Sequence, residues 1–403
     1  MADSNPERER FDEPTARWVL LAFGFRPFFL LAGLAGALGP PVFLAVYTGL
    51  IDADFGGPVT VWHGHEMIFG FVVVAVAGFL FTALANWTGR APVRGATLGA
   101  LVGLWLAGRA AMALAGVLPA ALVAVVDLAL LPALAVLVLR ELIRGRNRRN
   151  MPFPVLLMVL FVANLLFHLE RLGVAETARA GLYLSVHVIA LLIAIVGGRV
   201  VPAFTTAALR RAGAAADLSS PPWLERAAIA AVAAVAVAEL ADPGGVAAGG
   251  LALAAALLLA ARLSGWRGLA SLDQPILWVL HLGYGWLAVG FALKAAADLA
   301  GWLPPSAALH ALTAGAAGTM ILGVMTRAAL GHTGRALATP PAIVVASGLI
   351  SVGAALRVAE PLLAAPSAMI LTASALIWAA GFAIFTVVYW PILTRPRIDG
   401  RPG

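Results

Sequence analysis

Apolar residues run through this chain in blocks of about 20, each closed by a short polar break carrying arginine, proline, glycine or aspartate. Twelve blocks stand at 18–50, 63–87, 95–117, 119–142, 152–171, 178–203, 223–242, 246–263, 272–299, 305–329, 339–358 and 366–393. At about 1.5 Å of rise per residue, such a block crosses a hydrocarbon core of about 30 Å as an α-helix. The pattern predicts an all-α, polytopic transmembrane bundle of about 12 helices. A polar tail at 1–17 precedes one membrane domain at 18–393, and a second tail follows at 394–403. An even number of crossings places both termini on one side.

Composition makes lipid the solvent. Hydrophobic residues are 62% of the chain and charged residues 12%, with a mean hydropathy of +0.94, which is about half the charge of a soluble domain. The net charge of +7 comes almost wholly from arginine, with Lys294 the only lysine. Alternate breaks carry Arg90 and Arg94, then Arg144, Arg146, Arg148 and Arg149, then Arg210 and Arg211, then Arg262 and Arg267, then Arg335. Arg8, Arg10 and Arg17 lie in the first tail and Arg395, Arg397 and Arg401 in the last, whereas an intervening break holds Asp52 and Asp54. By the positive-inside rule the tails and the Arg-rich breaks are cytoplasmic. This distribution belongs to a membrane protein and excludes a nucleic-acid role. Met1–Ala16 is polar and unlike a cleaved signal peptide. With no cysteine, disulfides, thiolate-ligated zinc, iron–sulfur clusters and thioether-linked haem are excluded as intrachain features. Any metal must use histidine, carboxylate, methionine or backbone oxygen.

The topology then sets the depth of the histidines. His63 and His65, in Trp62-His63-Gly64-His65-Glu66-Met67, head the second helix at its outer end, and His310 lies about one turn into the tenth. His168 lies near the outer end of the fifth. His187 is about nine residues, or about 14 Å, down the sixth. His281 approaches the midplane on the ninth from the other side, and His332 falls in a cytoplasmic break. Ionisable groups inside a membrane are costly and mark function. On a helix His63 and His65 point about 200° apart, toward different neighbours, unless the helix start is frayed and both reach one metal. Glu66 is a second-shell partner for an imidazole N–H. The alternative is an interfacial polar cap with Trp62 as a belt aromatic.

Spacing also suggests an internal repeat. His65 precedes Thr88-Gly89-Arg90 by the same distance that His310 precedes Thr333-Gly334-Arg335. Thr205-Thr206-Ala207-Ala208-Leu209 and Thr326-Arg327-Ala328-Ala329-Leu330 share T-x-A-A-L, with a looser version at Thr82-Ala83-Leu84-Ala85. Two readings stand: coincidence in an Ala- and Leu-rich chain, or three four-helix units that each present an outer histidine from their second helix. The repeat reading makes a bis-His haem between His65 and His310 the simplest constellation, with His187 and His281 as further metal-ligand candidates. Singly, His168 and His187 read equally as helix–helix hydrogen-bonding residues. Arg109 and Asp127 share a depth on consecutive helices and are expected to pair, with a haem propionate as an alternative partner for Arg109. Asn164, Lys294 and Asp298 are expected to be satisfied locally. Gly197-Gly198-Arg199 lacks nucleotide-loop spacing.

Several motifs resemble those of the NnrS family, bacterial polytopic membrane proteins described as containing haem and copper and associated with nitric oxide. They are Gly24-Phe25-Arg26-Pro27-Phe28-Phe29, Trp62 through Met67, Asn86-Trp87-Thr88-Gly89-Arg90, Gly197 through Thr205, His281-Leu282-Gly283-Tyr284, His310 through Met320, and Met325 through Arg335. The resemblance implies haem, copper and a nitric-oxide-linked role; a bacterial inner membrane, an electron donor among the partners and Tyr284 as a neighbour of a ligand are further expectations. A more distant architectural resemblance is to the catalytic subunit of haem–copper oxidases and nitric oxide reductases, with its helices in three groups of four. There His65 and His310 would take the place of low-spin haem ligands and His187 would stand near copper. This chain departs from that pattern: its H-x-H is on the second helix, and its seventh, Trp223 to Ala241, has no histidine. The leading expectation is a haem–copper protein that binds or processes nitric oxide or its products, through His63, His65, His187, His281 and His310. The alternative is a transporter for haem, copper or a nitrosylated species.

Overall fold

A computed structural model describes residues 19–214, 217–363 and 367–400, so Arg8, Arg10, Arg17 and Arg401 lie outside the described residues. The apolar blocks form twelve helices: α1 (Phe25–Tyr47), α2 (Val59–Thr88), α3 (Ala96–Ala113), α4 (Ala120–Arg144), α5 (Pro152–Arg171) and α6 (Ala178–Arg211). The second half continues with α7 (Pro222–Ala241), α8 (Val246–Ser264), α9 (Pro275–Ala300), α10 (Pro305–His332), α11 (Pro341–Ala359) and α12 (Ala368–Thr394). The described residues contain no strand, as lipid demands of a chain whose peptide groups must be satisfied within each span. Eleven helices are long and apolar enough to cross a membrane, and the protein is a multi-pass membrane protein. The exception is α7, because every 18-residue window of it contains Glu225, Arg226 and Glu239. Glu239 is buried against Lys294 of α9 at 2.5 Å, and that pairing lets α7 pack with the bundle.

Successive helices pack side by side, and α12 returns to pack on α1. Arg26, fully buried in the first turn of α1, locks this closure by donating to the carbonyls of Leu393 and Arg395 at 2.9 and 2.8 Å, which caps the end of α12. Inside this ring α2, α6 and α10 touch one another. They are buried over 78%, 61% and 67% of their central windows, against 33–56% for the other spans. The three expected repeat helices are therefore the central ones.

Two of the three match in detail. Both α2 and α10 begin after an extended proline, Pro58 and Pro304, and both widen into a seven-residue π-helix directly after a histidine. Glu66–Val72 follows His65 and Ala311–Ala317 follows His310. A π segment leaves carbonyls without their usual i+4 donors, and an indole fills one in each case. Trp105 donates to Gly70 O at 3.0 Å, and Trp378 to Ala314 O at 3.1 Å. At the far ends Thr88 and Thr333 hydroxyls bond back to Leu84 and Ala329, each at 2.7 Å, and the chain turns at Gly89 and Gly334 with φ of +66° and +73°. The shared Thr-Gly-Arg spacing is thus the trace of equivalent helices.

Candidate metal centre

Four helices bring six polar side chains to one point in the first half of the chain, at the end of the bundle away from the Arg-rich breaks. His65 and Glu66 come from α2, Arg109 from α3, Asp127 from α4, and Asn164 and His168 from α5. Asn164 and His168 are four residues apart, so they share one face of their helix. The Oδ2 of Asp127 is the hub. It lies 3.1 Å from His65 Nε2, 3.0 Å from His168 Nε2 and 2.8 Å from Asn164 Nδ2. Its Oδ1 accepts from Arg109, which also donates to Glu66. His65 and His168 are fully buried, and Asp127 and Asn164 nearly so.

The donor and acceptor count makes this cluster unusual. His65 Nδ1 faces Glu66 Oε1 at 3.1 Å, while Nε2 faces Asp127 Oδ2 and, at 2.9 Å, Asn164 Oδ1. Every one of these partners is an acceptor, since the Asn164 amide nitrogen is spent on Asp127. A ring with a proton on both nitrogens fits these acceptors, and so does a ring whose Nε2 holds a metal ion in place of a proton. Charge says the same: Glu66 and Asp127 supply two negative charges and Arg109 one positive charge, so one further positive charge is required. An imidazolium at His65 provides it, and so does a bound cation. One ligand atom each from His65, Asp127 and His168 lie within 4.8 Å of one another, a set that could hold a metal ion. His168 Nδ1 is buried with no hydrogen-bond partner.

Close helix approach is what assembles this set. A Cβ on Gly70 would meet Arg109 Cδ at 3.3 Å, and one on Gly108 would meet Asp127 Oδ1 at 3.1 Å, so a side chain at either position would press on the Arg109–Asp127 pair. Phe69 and Phe167 pack on the His65 ring at 4.8 and 4.3 Å between centroids and close it off from solvent. At the rim of the same end Arg171 ties α5 to the carbonyls of Phe55 and Ala115.

The comparison with protein families decides the kinship of this arrangement. A family model described as NnrS protein matches residues 19–397, nearly the whole chain. The chain belongs to the NnrS family. No curated protein matches it.

In this NnrS member the remaining expected ligands occupy three other places. His65 does not turn toward His310, because both its nitrogens are engaged within its own helix group. His63, on the other side of the α2 start, stacks its ring on Phe43 of α1 at 4.2 Å. The helical rule that sends His63 and His65 to different neighbours thus holds: His65 meets the Asp127 hub and His63 meets Phe43. His310 Nδ1 donates to Ser306 O at 2.8 Å, which leaves Nε2 with its lone pair. His187 is held the same way, from Nδ1 to Tyr183 O at 2.8 Å, and its Nε2 is buried without a partner. It borders a cavity of about 120 Å³ shared with Lys294, Glu239 and Asp298. His281 faces the carbonyls of Leu277 and Trp266 at 3.2 and 3.4 Å. Tyr284 meets Arg262 rather than a histidine, accepting from its Nη1 at 2.8 Å.

Asn164 is not satisfied locally, as its amide completes the Asp127 hub. The signal for it was its spacing from His168 on one helix face. Trp62, far from lying in an interfacial belt, is buried and stacked on Phe55 at 3.9 Å with 7° between planes. The family motifs sort by role: Gly24 through Phe29 closes the ring, Trp62 through Met67 supplies both His63 and the hub, and the motifs on α6 and the end of α10 gather elsewhere.

Proposed function

We propose that this chain is a redox-metal protein of the membrane that binds or processes nitric oxide or one of its products, with copper held by His65, Asp127 and His168. The observation that carries the reading is the buried hub itself, in which two imidazoles and a carboxylate converge and their charge balance leaves a place for one cation. Imidazole and carboxylate are suitable copper donors in a chain without thiolates. For haem the fit differs between histidines. His310 donates from Nδ1 to Ser306 O, which leaves its Nε2 available, and His63 stands on α2 outside the Asp127 hub with its ring on Phe43, so these two are the proposed haem ligands in place of the pair His65 and His310. A bound copper or haem iron would supply one-electron exchange with an apolar gas that arrives through the bilayer.

The protein's own residues do the rest. Arg109 holds Glu66 and Asp127 in register, so Asp127 keeps its oxygens on the two imidazoles. Asn164 orients that carboxylate, and Phe69 and Phe167 exclude water. His187, with a free buried Nε2, is the proposed ligand for any second ion. On this proposal the centre lies in the outer half of a bacterial inner membrane with both termini cytoplasmic, a reading supported by the arginine-rich breaks.

Elemental analysis and an optical spectrum of the detergent-purified full chain test the reading together. His168→Gln is expected to remove copper while leaving haem absorbance, and His310→Ala to remove haem absorbance while leaving copper. Wild-type protein free of both metals after expression with haem and copper supplied would overturn it.

A further inference from the structure

The motifs on α6 and the end of α10 meet at a second cavity, of about 340 Å³, at the Arg-rich end of the bundle. It lies well apart from the metal centre, since its first α2 residue, Phe79, is 14 residues or about 21 Å along the helix from His65. Its walls are aromatic. Phe79, Trp87, Phe153 and Phe204 line it, and Trp87 stacks on Phe153 at 5.0 Å. Two guanidiniums, of Arg199 and Arg327, border the same space.

Neither has an ion-pair partner among the described residues. Arg199 donates to Asn150 Oδ1 at 2.9 Å, and Arg327 lies over the Phe204 ring, 3.8 Å from its centroid. A further cation acts on each, Arg149 on Arg199 and Arg211 on Arg327, while Glu225 acts on Arg199 in the opposite sense. Two cations beside an apolar cavity in a membrane protein are costly without an anion. The lining residues Asn86, Gly331 and Leu337 are exposed, so the space opens at the Arg-rich face.

We infer that this cavity binds an amphipathic organic anion, its carboxylate or phosphate held between Arg199 and Arg327 and its apolar body against Trp87, Phe153 and Phe204. Guanidinium is the donor best matched to either anion. The volume falls at the small end of ligand pockets, which suits one acyl chain or a compact ring system. That chemistry has two sources, an anionic phospholipid of the facing leaflet or a soluble organic acid. The inference is independent of the metal reading.

Thermal unfolding of the full chain in a neutral detergent tests it, with dodecanoate against dodecanol and phosphatidylglycerol against phosphatidylcholine as probes. The charged member of at least one pair is expected to raise the melting temperature and its neutral counterpart to leave it unchanged. Stabilisation by phosphatidylglycerol identifies a lipid site, and stabilisation by dodecanoate alone identifies a free-acid site. Arg199→Gln and Arg327→Gln are each expected to raise the half-effective concentration about tenfold. Ala328→Phe, which fills the cavity and keeps both arginines, should abolish the response. Equal responses to charged and neutral probes, no response to either anion, or unchanged responses in all three variants would overturn the inference.

Discussion

Asp127 carries the candidate centre because one oxygen serves three donors while the other holds Arg109. Replacing its carboxylate by an amide takes the negative charge from between Arg109 and the two imidazoles and leaves Arg109 half-paired, so Asp127→Asn should destabilise the protein by about 3–5 kcal/mol. Removing both members of the pair should cost less than removing one: Asp127→Asn with Arg109→Met is predicted to recover part of that loss. Detergent-denaturation midpoints of the three variants check this, and a double variant less stable than Asp127→Asn would refute it. The Arg109–Asp127 pair is readable in the sequence because two charges at one depth on consecutive helices have few other partners. Glu66 is readable as an imidazole partner because it adjoins His65. The role of His168 and Asn164 is not, because their approach to α2 depends on how α5 packs, which no local pattern encodes.

At the scale of elements, the π segments set the direction of the side chains that follow His65 and His310. Each relies on one indole to satisfy a carbonyl left over by the wider turn. Trp105→Phe should therefore cost about 1 kcal/mol and speed amide exchange within Glu66–Val72, and Trp378→Phe should do so within Ala311–Ala317. Exchange that stays slow in both segments would show that the indoles do not support them. The twelve helices were legible from apolar run length, although α2 starts at Val59 rather than 63 and α6 runs on to Arg211 rather than 203. The π turns were not, since an all-apolar run looks the same at either helical pitch. Matched spacing between His65 and His310 was read as a shared site. It matches the likeness of the two helices instead, since each histidine immediately precedes a π segment while His65 and His310 keep different hydrogen-bond partners.

The whole molecule is a ring of helices around α2, α6 and α10, and its orientation rests on loop charge. One charge in that argument lies elsewhere: Arg262 is fully buried within α8, bonded to Ala194 O and Tyr284 Oη, and contributes nothing to a loop. The other arginines keep the bias. Because the chain has no cysteine, single reporters are clean. Asp52→Cys should react with a membrane-impermeant maleimide on intact spheroplasts and Arg146→Cys only after lysis, and the opposite order would invert the topology. The centre itself is tested most directly by electron paramagnetic resonance of the copper(II)-loaded full chain. The account predicts superhyperfine splitting from two imidazole nitrogens, reduced to one in His168→Gln and in His65→Gln. A spectrum identical in wild type and both variants would contradict copper binding at the Asp127 hub.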